Sequence, residues 1–340
     1  MGTTVERAGE ADVHGHGGMD HPGMPVPTDP PTLARLFVPE WAGFPLLPVL
    51  AALGLVGYLF AVVRLRRTGV VWPWWRTLSW VAGVFTLYAV TGTRLNGYSM
   101  VLFSIHMTQH MVLSMLTPLL LLCGSPITLA LRTLPRGRGT AGVPRALLLK
   151  ALHSRVAHAL TSPLFTVPLF IASLYGVYFT PVFDDLMGNP YGHTLMLAHF
   201  VATGLLFFGP VLAQDPWPRR VGHAGRLIEL LLPVPFHAYF GVAVMMASNL
   251  LAGSFAEPPA SWDVDPLTDQ GIAGGIAWSF GELPTALVVA VVLASWWRSD
   301  QREGRRLDRV ADRTGDAELA AYNARLRALA GSAPASRASS

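Results

Sequence analysis

Two histidines, His106 and His110, stand four residues apart inside the apolar run 98–118. Four residues make just over one helical turn, so the two imidazoles share a face. An ionisable side chain in a membrane helix is costly and turns inward, toward a partner or a site. Two imidazoles on one face make a chelating edge for a metal ion. They cannot clamp one haem from opposite sides. The plain alternative is a pair of hydrogen bonds to a neighbouring helix.

Other side chains able to bind metal are expected at similar depth. At ~1.5 Å per residue, His106 and His110 lie about 12 and 18 Å from the start of their span, His199 about 12 Å into a later one, and Glu282 about 18 Å into the last. Met245 and Met246 approach the same layer from the opposite direction, and His237 lies nearer the middle. Imidazole with thioether favours copper, and a carboxylate such as Glu282 would ligate it, orient a ligand or carry protons. The N-terminal tract His14-Gly-His16-Gly-Gly-Met19-Asp-His21-Pro-Gly-Met24 repeats that chemistry in a polar leader. A His-rich tract with interleaved Met reads as a weak copper collector. Tyr175 and Tyr178 read as helix contacts.

The elements that carry these residues are membrane helices. Half of the chain is hydrophobic (51%), only 14% is charged, and mean hydropathy is +0.41. Seven spans are expected, at 43–65, 75–94, 98–122, 163–181, 191–213, 227–252 and 270–297, each long enough for a hydrocarbon core about 30 Å thick. The fold class is therefore an all-α integral membrane protein, a seven-helix bundle. One amphipathic surface helix is expected over 145–162, where Leu148, Leu152, Val156 and Leu160 oppose Lys150 and Arg155. Arginines crowd the first, third and fifth loops, while Asp184, Asp185, Glu257, Asp263, Asp265 and Asp269 fill loops without Lys or Arg. The positive-inside rule then sets the N-terminus outside and the C-terminus in the cytoplasm. This divides the chain into an extracytoplasmic leader (1–42), a membrane domain (43–297) and an Arg-rich cytoplasmic tail (298–340). The basic residues flank apolar spans, which points to lipid and not to nucleic acid. A single cysteine, Cys123, excludes an internal disulfide and a paired-thiol metal motif. No Walker loop, nucleophile elbow or His-Glu-x-x-His occurs, so turnover of a substrate is not expected.

The third span, Ser104-Ile-His106-Met107-Thr-Gln109-His110-Met111 followed by Thr117-Pro118-Leu-Leu-Leu-Leu-Cys-Gly124-Ser-Pro126, resembles the signature of the polytopic CtaG-type cytochrome c oxidase assembly family. That pattern is a His-Met-x-Gln-His run, then Pro-Leu-Leu closing in Gly-x-Pro. The resemblance covers about 43–297, and His106, Gln109 and His110 match its core. It implies a bacterial plasma-membrane protein that matures a haem-copper oxidase by helping copper reach it, with oxidase subunits or a copper chaperone as partners. Two rival readings are a copper permease or resistance protein, and a membrane b-type cytochrome with His199 and His237 as axial ligands.

Overall fold

The computed structural model describes residues 27–41, 45–137, 139–219, 221–314 and 317–331. Helix makes up 77% of it, and no strand forms among the described residues apart from one isolated bridge between Pro39 and Thr93. In chain order the helices are α1 (Leu46–Arg67), α2 (Trp74–Thr91), α3 (Phe103–Met111), α4 (Thr117–Cys123), α5 (Pro126–Thr133), α6 (Val143–Leu152) and α7 (Arg155–Leu160). Then follow α8 (Pro163–Tyr178), α9 (Val182–Met187), α10 (Gly192–Leu212), α11 (His223–Leu231), α12 (Val234–Met246), α13 (Pro266–Thr314) and α14 (Ala317–Gly331), with short turns between them. The chain divides between Leu287 and Val288 into two compact units. The second contains the Arg-rich stretch and α14, on which Leu319, Tyr322, Leu326 and Leu329 are exposed.

Five segments are long and apolar enough to cross a membrane: Leu46–Arg67, Phe103–Thr133, Gly192–Leu212, His223–Met246 and Pro266–Arg313. The other two expected spans fall short. α2 has 18 residues but includes Arg76, Thr77, Ser79 and Thr86. α8 has 16 residues; at ~1.5 Å each that is about 24 Å. The surface helix expected over 145–162 is instead two helices, α6 and α7. Ser154 divides them: its backbone is extended, and its hydroxyl accepts from the Ala157 N–H at 3.0 Å, an N-cap that starts a new helix.

The span that carries the histidine pair is bent by its own sequence. Pro118 has no N–H to give the Ser114 carbonyl four residues back. The chain answers with a π-helical turn, Val112–Leu116, between α3 and α4. Gly204 on α10 packs against the Ser114 carbonyl and Pro118, and any Cβ there would collide with both. At the far end, Gly124-Ser125-Pro126 turns the chain from α4 into α5. Ser125 adopts a left-handed backbone (φ 51°), an uncommon state for a non-glycine residue. The buried Asp215 carboxylate secures the turn by accepting from the Ile127 N–H at 3.2 Å, the Thr128 N–H at 2.8 Å and the Thr128 hydroxyl at 2.6 Å. The Tyr58 hydroxyl donates to the Gly124 carbonyl at 2.8 Å and accepts from Trp72 Nε1 at 3.1 Å.

Two further aspartates, expected only as loop charges, tie segments together at the opposite end. Asp184 accepts from the Gly253 and Ser254 N–H groups at 3.0 and 2.9 Å. Asp269 accepts from the Ser104 N–H at 3.2 Å and from the Ser104 hydroxyl, capping the first turn of α3. Arg94, the one arginine at odds with the charge pattern, pairs with Glu40 at 2.6 Å. The segment before α1 docks there too: Tyr98 Oη donates to the Asp29 carbonyl at 3.0 Å, and Trp262 Nε1 to the Thr28 carbonyl at 3.2 Å.

A buried histidine–tyrosine cluster

α3 presents His106 and His110 to α8, and both are almost wholly buried, at 0% and 2% exposure. The Tyr178 hydroxyl lies between them, 3.0 Å from His106 Nε2 and 3.2 Å from His110 Nδ1. A phenol has one proton, so Tyr178 donates to one imidazole and accepts from the other. The two tautomers are therefore coupled. When one facing nitrogen carries a proton, the other must not.

Aromatic rings enclose this relay. Phe200 stands edge-on to His110 with centroids 4.0 Å apart, and Phe183 edge-on to His106 at 5.1 Å. Phe103 and Phe255 stack at 4.9 Å and close one side. A third imidazole, buried His193 on α10, lies 5.8 Å from His106 between ring centroids. The two neighbouring residues of the motif do different work. Gln109 turns to another flank, where Nε2 donates to the Val90 carbonyl at 2.6 Å and to Asn96 Oδ1 at 2.8 Å. Met107 is packed in the core.

The remaining expected ligands do not join the pair. His199 is half-buried and its Nε2 is engaged by the Ser173 hydroxyl at 2.8 Å. Glu282, expected as a buried member of the layer, is exposed, and it lines a separate cavity with His237. The helical rotation of α13 turns it away. Met245 and Met246 are exposed at the end of α12, at 39% and 78%. The leader residues His14, His16, Met19, His21 and Met24 lie outside the described residues. Among the described residues, no three His, Cys, Asp or Glu side chains are grouped to hold one ion. The donor set at hand is thus two imidazole nitrogens facing a single point, which suits copper or zinc in type. The Tyr178 hydroxyl holds that point.

Sequence reasoning missed two members of the cluster. Tyr178 was expected only as a helix contact, because nothing in its own segment marks which residue lies opposite α3. His193 precedes His199 by six residues on one helix, and it is His193 whose ring is buried beside His106.

Residues 56–299 match the family described as cytochrome c oxidase caa3 assembly factor. Proteins of Mycobacterium bovis and Mycobacterium tuberculosis, both named only as uncharacterized, are 40% identical to this chain over 303 residues, 88% of its length and 46% of theirs. A Mycobacterium leprae protein, also named as uncharacterized, has the same identity and coverage. The chain thus spans about half the length of the curated relatives it matches. No solved structure matches it. With a bent His-Met-Thr-Gln-His helix at its centre and the family match running across its membrane helices, the chain belongs to the cytochrome c oxidase caa3 assembly factor family.

Proposed function

We propose that this chain supports maturation of a haem-copper oxidase in a bacterial plasma membrane, and that copper is its cargo. The observation that carries the reading is the burial of two imidazoles facing one point, with a displaceable phenol hydroxyl between them. A proton and a metal ion compete for the same nitrogens, so uptake requires the Tyr178 hydroxyl to move aside and the imidazole whose N–H faces it to shift that proton to its other ring nitrogen. A site with two coupled tautomers suits transient holding and handover better than permanent binding. Oxidase subunits or a separate copper chaperone are the partners this implies.

The membrane arrangement completes the proposal. Counting α2 and α8 with the five longer segments gives seven spans, and arginine bias puts the leader outside and the tail in the cytoplasm. α6 and α7 then lie on the inner surface, and the His/Met leader collects copper on the outer side. The experiment is a deletion strain carrying His106→Ala, His110→Ala or Met107→Leu, read for oxidase activity, copper in the purified oxidase and protein abundance. Either histidine variant is expected to lose oxidase activity at normal abundance. Met107→Leu is expected to be nearly silent, because the volumes are similar. Full activity in both histidine variants would refute the proposal.

A further inference from the structure

His237 is the buried imidazole that the cluster leaves out. It is 7% exposed, and its ring makes no hydrogen bond among the described residues. One side of the ring is pressed on Gly281, where a Cβ would come within 2.5 Å of Nδ1. The ring borders a cavity of about 30 Å³ whose other walls include Met115, Phe170, Phe208, Trp278 and Glu282. Thr285 also lines it, but its hydroxyl is spent on the Gly281 carbonyl at 2.8 Å.

The lining selects among occupants. A hard cation such as Mg²⁺ or Ca²⁺ needs about six oxygens, which these walls do not supply. Here the walls are aromatic, with one open imidazole, one thioether and one carboxylate. Imidazole with thioether suits a soft ion, Cu(I) above all. Met115 also has a reason to be there. In an unbroken α-helix, at about 100° per residue, it would point about 140° away from His110. The π turn over Val112–Leu116 is wider than an α turn and brings Met115 back toward that side.

We propose that this cavity is a second copper station, holding Cu(I) between His237 and Met115 with Glu282 balancing its charge. It rests on the copper reading above, since the ion is the same cargo at a later step. The test uses the full-length protein in detergent, with His14, His16, Met19, His21 and Met24 replaced by Ser so that the leader adds neither ions nor sulfur, titrated with Cu(I) under reducing conditions against a chromogenic chelator. Wild type is expected to hold two ions, His106→Ala/His110→Ala one, and His237→Ala one. Met115→Leu, which conserves volume, is expected to weaken the second ion by at least an order of magnitude. X-ray absorption of the copper-loaded His106→Ala/His110→Ala protein is expected to show a sulfur ligand that Met115→Leu removes. If His237→Ala and Met115→Leu hold as many ions as tightly as wild type, the second station is overturned. A histidine-pair variant that holds no ion overturns it as an autonomous site. If instead the pair variant keeps both ions while His237→Ala loses one, the cavity stands and the pair loses its role.

Discussion

Tyr178→Phe separates a metal site from a purely structural hydrogen-bond relay. The change deletes one hydroxyl and leaves the aromatic packing with Phe103, Phe183 and Phe240 in place. Without metal, His106 Nε2 and His110 Nδ1 lose their shared partner in a fully buried space. Each unsatisfied buried group costs about 1–3 kcal/mol, so the metal-free variant is expected to lose about 2–6 kcal/mol of stability. With metal the sign reverses. In the wild type an incoming ion must break two hydrogen bonds, each worth about 1 kcal/mol net. The variant has no such competitor, so its affinity for Cu(I) at the pair is expected to rise about 30-fold, at 1.4 kcal/mol per tenfold. The assay is thermal unfolding of the full-length protein in detergent, with and without Cu(I), beside a chelator competition. At 100 times Kd the bound ion returns about 2.7 kcal/mol, enough to offset much of the loss. A variant as stable as wild type without metal, or one that binds Cu(I) no more tightly, would refute the competition between phenol and ion.

Three further outcomes are expected. Gly204→Val should lower abundance sharply, because a side chain at 204 meets the Ser114 carbonyl and Pro118; steady-state level by immunoblot reads this, and normal abundance would count against the close packing. Deleting residues 1–26 should weaken oxidase maturation only at scarce copper, since Thr28 and Asp29 keep their contacts with Trp262 and Tyr98; loss at ample copper would make the leader essential. Reporter fusions at Gly188 and Gly139 should report opposite compartments, and a shared compartment would mean that α8 does not cross or that the 145–162 segment enters the membrane.

Much of the fold was legible because it rests on local signals. Apolar runs mark the helices, although the span expected over 227–252 is divided at Pro233 into α11 and α12. The spacing of His106 and His110 fixes one shared face, and the structure keeps it. What sequence could not supply was rotation about each helix axis. Glu282 was assigned to the layer by depth alone, and depth says nothing about direction; α13 turns it outward. Met245 and Met246, near the same depth, are likewise exposed, at the end of α12. Tyr178 joins the pair because α8 packs across α3, a tertiary fact with no local marker. The surface helix was misread because Ser154 favours a cap only when the chain can bend there, and its leucine spacing alone gives no sign of that.

The polar residues of the His-Met-Thr-Gln-His run divide between cluster and frame: His106 and His110 meet Tyr178, while Thr108 and Gln109 bond elsewhere. A helix presenting two imidazoles to one phenol must be fixed in both rotation and height, because the contacts are only 3.0 and 3.2 Å long. Gln109 sets the rotation from the flank by gripping the last turn of α2 and Asn96. Asp269 sets the height from the N-terminal end by capping Ser104. The Thr108 hydroxyl bonds back to the Ser104 carbonyl at 2.9 Å, within the same turn. Beyond the pair, Pro118 forces the wider turn that re-aims Met115, and Gly204 lets α10 close on the carbonyl this frees. Gln109 and Asp269 hold the geometry in which the Tyr178 hydroxyl lies within hydrogen-bond reach of both His106 and His110.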